Sequence, residues 1–254
     1  MCTLALYFQI FDDYPLLVAA NRDEHFDRPS AAPLLDNSSP KIVAGKDLRA
    51  GGTWFGVNEH GLIVGILNRR VDGAALPVSV ARSRGLLCMA LLQRESARAA
   101  NKFLSAHEDR YNPFTVVFAD RDAAFVAYNE DPRIIIRPLD PGLHVFSSAA
   151  TLDLTSAKAD RAYQRFALLL TDPVVTPDQP RHWLPGLQSI LADHSLRDGS
   201  EDPGDAICVH RENSGTVSST VAFLSEARGR FETFYCPGAP CRHPFTDSLS
   251  LPVR

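Results

Sequence analysis

Residues 17–24 read Leu-Val-Ala-Ala-Asn-Arg-Asp-Glu, an apolar run that passes directly into four polar or charged residues. Residues 16–20 have the length and composition of a short buried strand. We therefore expect a strand that ends near residue 20 and delivers Asn21, Arg22 and Asp23 into a cleft. Side chains at such ends of a rigid scaffold are frequent sites of binding and catalysis.

A second strand-like run, residues 3–10, precedes this motif, and Cys2 stands immediately before it. If Met1 is removed, Cys2 carries both a thiol and a free α-amine. The pKa of an α-amine is ordinarily about 7.7–8.0, so this group can take up the thiol's proton near neutral pH. A nucleophile that is served by the N-terminal amine is an established route to covalent catalysis. Cys2 is thus the candidate nucleophile.

Two glycine-containing stretches follow. Residues 51–58 read Gly-Gly-Thr-Trp-Phe-Gly-Val-Asn, and residues 61–70 read Gly-Leu-Ile-Val-Gly-Ile-Leu-Asn-Arg-Arg. Together with the Met-Cys start and the Asn-Arg-Asp-Glu run, they resemble the NRDE family, also called the transport and Golgi organisation 2 family. The resemblance is clear over about residues 1–70 and looser over 113–148 and 205–236. Within the wider superfamily the chain is similar to choloylglycine hydrolases and penicillin V acylases.

The pattern of strands and tight turns predicts an α+β fold with antiparallel pairing. The resemblance implies more: the four-layer αββα sandwich of N-terminal nucleophile hydrolases. It also implies catalytic roles for Cys2 as nucleophile, for Asp23 as the partner of the Cys2 amine, and for Asn68 as an oxyanion donor. Arg22 would favour a thiolate and lower the pKa of Cys2, or it would bind a substrate carboxylate.

Elementary chemistry supports these roles. A buried α-ammonium needs a carboxylate partner, and a side-chain amide at about 3 Å stabilises a tetrahedral oxyanion strongly. Candidates for contacting the substrate are Asn21, Trp54, Ser147 and Ser148. The hydrolase branch carries an Arg two or three residues before the Asp and an Asn after the strand at 143–147. This chain places its Arg next to the Asp and has Ser147-Ser148 after that strand.

Simpler alternatives stay open for two of these residues. Asp23, with Glu24, could merely end a strand, with Arg22 and Arg28 as surface partners, and Asn68 could be an ordinary turn residue. Gly51-Gly52 indicates a turn with positive φ rather than a phosphate cradle.

Three functions therefore compete. The first is an amidohydrolase that uses Cys2 to cleave an amide or thioester bond of a small acylated substrate. The second is a binding or trafficking protein for haem or a lipid-like ligand, which needs only a cleft; Cys2 or His25 would then be an axial haem ligand. The third is a nucleophile fold that has lost its chemistry and acts through protein partners.

Composition excludes other classes. The chain has 254 residues and a formal net charge of −4, and it has no basic stripe, so a nucleic-acid partner is not expected. No apolar run approaches a membrane span, and the N-terminus lacks the basic region of a secretory signal. We expect a cytoplasmic protein with one domain over residues 1–236 and a Pro-rich tail over 237–254.

No cofactor and no metal site are predicted. The five cysteines are odd in number and widely spaced, which does not suggest a disulfide framework. Cys88 and Cys208 lie among apolar residues and are expected to be core thiols. Cys236 and Cys241, followed by His243, lack the paired spacing of a zinc site and are expected in an exposed tail.

Periodicity predicts two longer helices, one over about 87–104 and one that begins at the N-cap Ser156, and a short helix over 185–192. Residues 29–40 are expected to be a loop, and residues 72–85 are expected to be irregular. Strands are predicted at 3–10, 16–20, 54–57, 62–67, 114–119, 124–128, 134–137, 143–147, 206–210, 216–224 and 230–235.

Overall fold

The structure is a computed structural model that describes residues 2–69, 81–130, 133–148, 156–171, 180–196, 199–247 and 249–254. The strands in these ranges are β1 (Thr3–Phe11), β2 (Tyr14–His25), β3 (Ser30–Asp36), β4 (Ile42–Asp47), β5 (Phe55–Asn58), β6 (Ile63–Asn68), β7 (Phe114–Ala119), β8 (Ala124–Glu130), β9 (Arg133–Leu139), β10 (Gly142–Ser147), β11 (Ser214–Ser225), β12 (Arg230–Cys236) and β13 (Leu249–Pro252). The helices are α1 (Arg84–Leu92), α2 (Ala97–Ser105), α3 (Ala157–Leu169) and α4 (Pro180–Leu191), and a 3-10 turn covers Pro203–Asp205.

Within the described residues, the strands form two sheets. One has the order β10-β1-β2-β11-β12-β13 and the other runs β3-β4-β5-β6-β7-β8-β9. The strand pairs for which a register is defined are antiparallel, as the tight turns predicted. No helix in the described part of the chain combines the length and the apolar character that a membrane crossing needs.

The chain divides into two compact units. The first contains the described residues of Met1–Asp27, Pro141–Arg228 and Glu232–Ser248, and the second those of Arg28–Asp140, Gly229–Phe231 and Leu249–Arg254. The predicted division into residues 1–236 and a tail follows different boundaries and stays a prediction.

In the first unit, α3 and α4 cover one face of the sheet. Tyr7 shows the pattern: it is fully buried, and its ring meets Phe166 and Trp183 edge-on. The Tyr7 hydroxyl donates to the carbonyl of Phe166 at 2.8 Å, so its one polar atom is satisfied. Leu4 and Leu6, on the other face of β1, are equally buried. A strand buried on both faces explains the continuous apolar run of residues 3–8.

In the second unit, α1 and α2 pack on the sheet around a core that includes Leu91 and Phe118. A buried polar residue, Asn58, ties the sheet to the end of α1. Its side-chain amide donates to the carbonyls of Leu92 and Arg94, both at 2.8 Å. These carbonyls lie where a helix leaves acceptors without intrahelical partners.

Several predicted elements differ from the structure. The Asn-Arg-Asp-Glu run lies inside β2, not after its end, because β11 continues beside it and pairs Ser214 with His25. Residues 29–40 were expected to be a loop, but they contain β3. This strand is mostly exposed at the sheet edge, where proline and polar residues are tolerated. The strand at β4 was not predicted.

The starts of two helices are set by serine side chains that cap them. The expected helix over 87–104 is broken: α1 ends at Leu92, and α2 begins after Ser96, whose hydroxyl accepts the N–H of Ala99 at 3.1 Å. The predicted start at Ser156 is confirmed, since Ser156 caps α3 in the same way. Residues 206–210 do not form a strand and make a single bridge at His210. Most of the segment expected to be irregular, 72–80, lies outside the described residues.

The Gly51-Gly52 turn has the predicted positive φ values, 71° and 75°. A Cβ added to Gly52 would lie 2.2 Å from the carbonyl carbon of Gly85. Gly52→Ala should therefore lower the free energy of unfolding by about 2 kcal/mol or more, because strain adds to a backbone clash. Urea unfolding measures this. Gly229→Ala is the control: its φ is 58°, but nothing lies within 4 Å of the added Cβ. Equal losses in the two variants would contradict the clash argument.

Candidate active site

Cys2 is held at the start of an interior strand. β1 is flanked by β10 and β2, and Thr3 stands opposite Ser147 on one side and Asn21 on the other. The backbone N–H of Cys2 donates to the hydroxyl of Ser148 at 2.8 Å. The Cys2 Sγ lies 3.8 Å from the backbone carbonyl oxygen of Asp23. Asp23 in β2 and Ser148, the residue after β10, thus hold the candidate nucleophile in place.

Behind the thiol lies a buried ion pair that joins β2 to the first turn of α3. Lys158 Nζ is 3.0 Å from Asp23 Oδ2, and the two side chains are only 3% and 2% exposed. The Thr216 hydroxyl donates to the other carboxylate oxygen at 2.6 Å. Both oxygens of Asp23 are therefore satisfied, as a buried carboxylate requires.

Sequence reasoning missed Lys158. One signal was available: a lysine in the first turn of a helix opposes the helix dipole, and Lys158 falls one residue after the start of α3. A cation at such a position is stabilised only by a nearby anion. Nothing in the local sequence identifies that anion as Asp23, 135 residues away.

The geometry refines the expected role of Asp23. Its cationic partner is Lys158, whereas the Cys2 nitrogen, a peptide N–H while Met1 is attached, bonds to Ser148. A contact between Asp23 and a freed Cys2 amine stays a prediction.

The surroundings of the thiol favour its protonated form. Burial raises the pKa of Cys2 above its ordinary value, and the charge of Asp23 adds to this effect. The Lys158 ammonium opposes it. In this structure burial outweighs the neighbouring cation, and the lowering of the Cys2 pKa by Arg22 stays a prediction. Arg22, to which that lowering was assigned, is buried in β2 opposite Ser218.

Asn21 uses its whole carboxamide within the fold. Its Nδ2 donates to the carbonyls of Leu191, at the end of α4, and Ile207, at 2.8 and 3.0 Å. Its Oδ1 accepts the Ser219 hydroxyl at 2.6 Å. These contacts join α4 to the sheet, and they do not support the predicted contact of Asn21 with a substrate.

The other predicted substrate contacts fall in both units. In the first, the hydroxyls of Ser147 and Ser156 lie 3.1 Å apart, next to Ser148. In the second, Trp54 is half-buried, and its ring covers Gly45 so closely that a Cβ there would lie 2.7 Å from it. Their roles in substrate binding stay predictions.

Asn68 is the last residue of β6 in the second unit, half-buried and opposite Phe114. Among the described residues, none hydrogen-bonds to its side-chain amide. The structure thus brings together Cys2, Asp23 and Ser148, and adds Lys158 and Thr216. The oxyanion role of Asn68 rests on the sequence.

A family model described as "Transport and Golgi organisation 2" matches residues 1–234. The chain is 30% identical to the mouse Transport and Golgi organization 2 homolog over 146 residues, which are 54% of this chain and 51% of the relative. It is 32% identical to the bovine homolog over 117 residues, 43% of this chain and 40% of that protein. The chain thus spans about half the length, or less, of these curated relatives.

Solved structures show the same fold. A penicillin V acylase from Agrobacterium tumefaciens superposes with a TM-score of 0.60 at 13% identity, covering 100% of this chain and 99% of the acylase. This similarity confirms the predicted fold class, an α+β fold with two antiparallel sheets. Because the family model covers nearly the whole chain, the chain belongs to the Transport and Golgi organisation 2 family.

Proposed function

We propose that this chain, once Met1 is removed, is a cysteine N-terminal nucleophile hydrolase that cleaves an amide or thioester bond of a small acylated substrate. One observation carries the proposal: Cys2 stands immediately before an interior strand, with its thiol 3.8 Å from the backbone carbonyl oxygen of Asp23, and the buried ammonium of Lys158 is paired to the Asp23 carboxylate. A nucleophile, a fixed carboxylate and a cation thus meet at the residue that N-terminal processing would expose.

The reaction follows from these groups. Cys2 Sγ attacks the substrate carbonyl, a C–S bond forms, and the carbonyl oxygen becomes an oxyanion. The α-amine of Cys2 accepts the thiol proton and passes it to the leaving amine or thiolate as the scissile bond breaks. Water then attacks the thioester, releases the acid and restores the thiol. The oxyanion role of Asn68, together with a backbone N–H, is the prediction from the sequence.

The raised pKa of Cys2 supports the need for a base. A thiol that is protonated at neutral pH must lose its proton during attack, and the adjacent α-amine is the group that Met1 removal supplies. Lys158 is close enough to affect the charge state of Cys2, and the same positive charge would favour the neutral amine. The neutral amine is the form that accepts a proton. We assign Lys158 and Thr216 as positioning residues that fix Asp23.

The proposed substrate class, a small acylated compound, is supported by the names of two proteins that share this fold. A penicillin V acylase and a Caenorhabditis elegans N-acylethanolamine-hydrolyzing acid amidase ortholog both carry names of amide-cleaving enzymes. Each shares 13% identity with this chain, so their own substrates do not transfer. An acylated amine is the shared chemistry.

Intact mass spectrometry tests the proposal. Wild-type protein should lack Met1 and should gain the mass of an acyl group when it is mixed with a panel of N-acyl amides and acyl thioesters and quenched in acid. Cys2→Ala should show no adduct. The control Cys88→Ser alters a buried thiol of the second unit and should retain it. Mature protein that keeps Met1, forms no adduct and binds haem or a lipid tightly would favour the binding alternative instead.

A further inference from the structure

Four side chains that bind metals well converge in the first unit. Cys208 and His210 precede β11, Cys241 follows β12, and His194 follows α4. Cys208 Sγ is 3.8 Å from Cys241 Sγ and 3.6 Å from His210 Nε2, and His210 Nε2 is 3.2 Å from Cys241 Sγ. Cys236 and Cys241 were expected in an exposed tail, but Cys236 is buried and Cys241 is half-buried.

These distances match the edges of a tetrahedral zinc site. Zn–S bonds of about 2.3 Å and Zn–N bonds of about 2.0–2.1 Å, at tetrahedral angles, place two sulfurs about 3.8 Å apart and a sulfur and a nitrogen about 3.6 Å apart. Two of the three observed edges agree to a tenth of an ångström, and the third is shorter. One ion would therefore contact Cys208, His210 and Cys241 with little rearrangement.

His194 supplies the fourth corner. Its ligand atom and those of His210 and Cys241 all lie within 4.8 Å of one another, and His194 is exposed, so its ring can turn toward the other three. His194 Nδ1 is 3.2 Å from the Ala192 carbonyl oxygen. A carbonyl only accepts, so this contact places the hydrogen on Nδ1 and leaves the lone pair on Nε2. Histidines that bind metals usually donate their second nitrogen in this way.

The backbone holds the segments together before any ion binds. The N–H of Cys208 donates to the carbonyl of Asp193, the residue before His194, at 2.8 Å. Gln188 of α4 donates to the carbonyl of Pro240, the residue before Cys241, at 3.3 Å. The ligand positions are therefore set by the fold, and the partial exposure of the cluster gives an ion access to it.

We propose that Cys208, Cys241, His194 and His210 form a structural Zn²⁺ site. Two thiolates and two imidazoles in a tetrahedron are the ligand set that selects zinc, and four protein ligands close the coordination sphere, as in structural sites. A disulfide between Cys208 and Cys241 would explain why the two sulfurs lie close together. It would not explain why two imidazoles lie beside them.

A zinc ion at this site would also stabilise the candidate active site. Val209, between two of the ligands, donates its N–H to the Thr216 hydroxyl at 2.9 Å, and that hydroxyl donates to Asp23 at 2.6 Å. An ion that fixes residues 208–210 therefore also fixes the donor to Asp23. The proposal is independent of whether Cys2 turns over a substrate.

Metal analysis tests the site. Protein purified without chelator should contain about one zinc ion per chain, and after removal of zinc it should bind Co²⁺ with the intense visible and thiolate charge-transfer bands of a tetrahedral S₂N₂ site. Cys241→Ser should lose most of the zinc and these bands. Cys236→Ser is the matched control, because Cys236 Sγ contacts the carbonyls of Gly238 and His243 and not the proposed ion. This variant should keep both the zinc and the cobalt bands.

Chelation should lower the Tm of the wild type and of Cys236→Ser but not that of Cys241→Ser. Should Cys241→Ser fail to fold, the Co²⁺ spectrum of the wild type still decides the matter. Wild-type protein that has no zinc and gives no thiolate–cobalt bands would overturn the proposal. So would full zinc content in Cys241→Ser, or recovery of Cys208 and Cys241 as a disulfide.

Discussion

Cys2→Ser is expected to lower kcat/KM by about 10³-fold or more for any acyl substrate that the wild type hydrolyses. Serine is nearly isosteric, so the fold should be unchanged, but its hydroxyl is a poorer nucleophile with only a weak amine base beside it. Steady-state kinetics with the substrate that forms the adduct would measure this loss, and circular dichroism would confirm folding. Cys88→Ser, which changes a thiol in the core of the second unit, should retain wild-type kinetics.

The pH profile separates the amine from other bases. Wild-type activity should fall as the pH is lowered through the pKa of the α-amine, ordinarily about 7.7–8.0, because the protonated amine cannot accept the thiol proton. The Lys158 ammonium favours the neutral amine and the Asp23 carboxylate favours the protonated amine, so the position of this limb reports which of the two charges dominates at Cys2. Comparable activity in Cys2→Ser, or turnover by protein that retains Met1, would be incompatible with the mechanism.

Lys158→Met should lower the free energy of unfolding by about 3–5 kcal/mol, because it leaves the Asp23 carboxylate buried without its cation. Urea unfolding at neutral pH gives this value. Lys102→Met is the control: Lys102 is an exposed lysine of α2, and its loss should change stability by less than about 0.5 kcal/mol.

A double variant distinguishes charge from packing. Lys158→Met with Asp23→Asn removes both charges, so it should be more stable than Lys158→Met alone. If the double variant is instead as unstable as the sum of the two single losses, then Lys158 stabilises the fold through its packing and not through the ion pair.

Apolar periodicity sufficed for most of the strands that are buried on one or both faces, but it missed β4, which is largely buried. The predicted strand at 114–119 coincides with β7, and the start of α3 was found from its cap. Apolar periodicity failed for β3, since an exposed edge strand has no apolar alternation to detect. It also ended β2 too early, because the polar residues 21–24 stay in the strand through pairing with β11, which lies almost 200 residues away.

The candidate site was predicted only in part, for a similar reason. Cys2 and Asp23 belong to the first two strand segments of the chain, which pair with each other, so short local motifs indicate both. Lys158 and Thr216 reach Asp23 from separate elements, α3 and β11. Their partners are set by how the elements pack, and a single sequence carries no record of that packing.

Asn21 and Asn58 perform the same task in the two units: each is a strand residue whose amide donates twice to carbonyls at or near a helix end. Aspartate could not replace either residue, because its carboxylate oxygens accept hydrogen bonds and would face carbonyl oxygens that also only accept them. Selection for a folded chain alone would therefore keep the first letter of the Asn-Arg-Asp-Glu signature, even in a descendant that had abandoned catalysis. Asn21 thus serves the fold, whereas Cys2 is the residue that, under the proposed mechanism, would distinguish relatives able to catalyse the reaction.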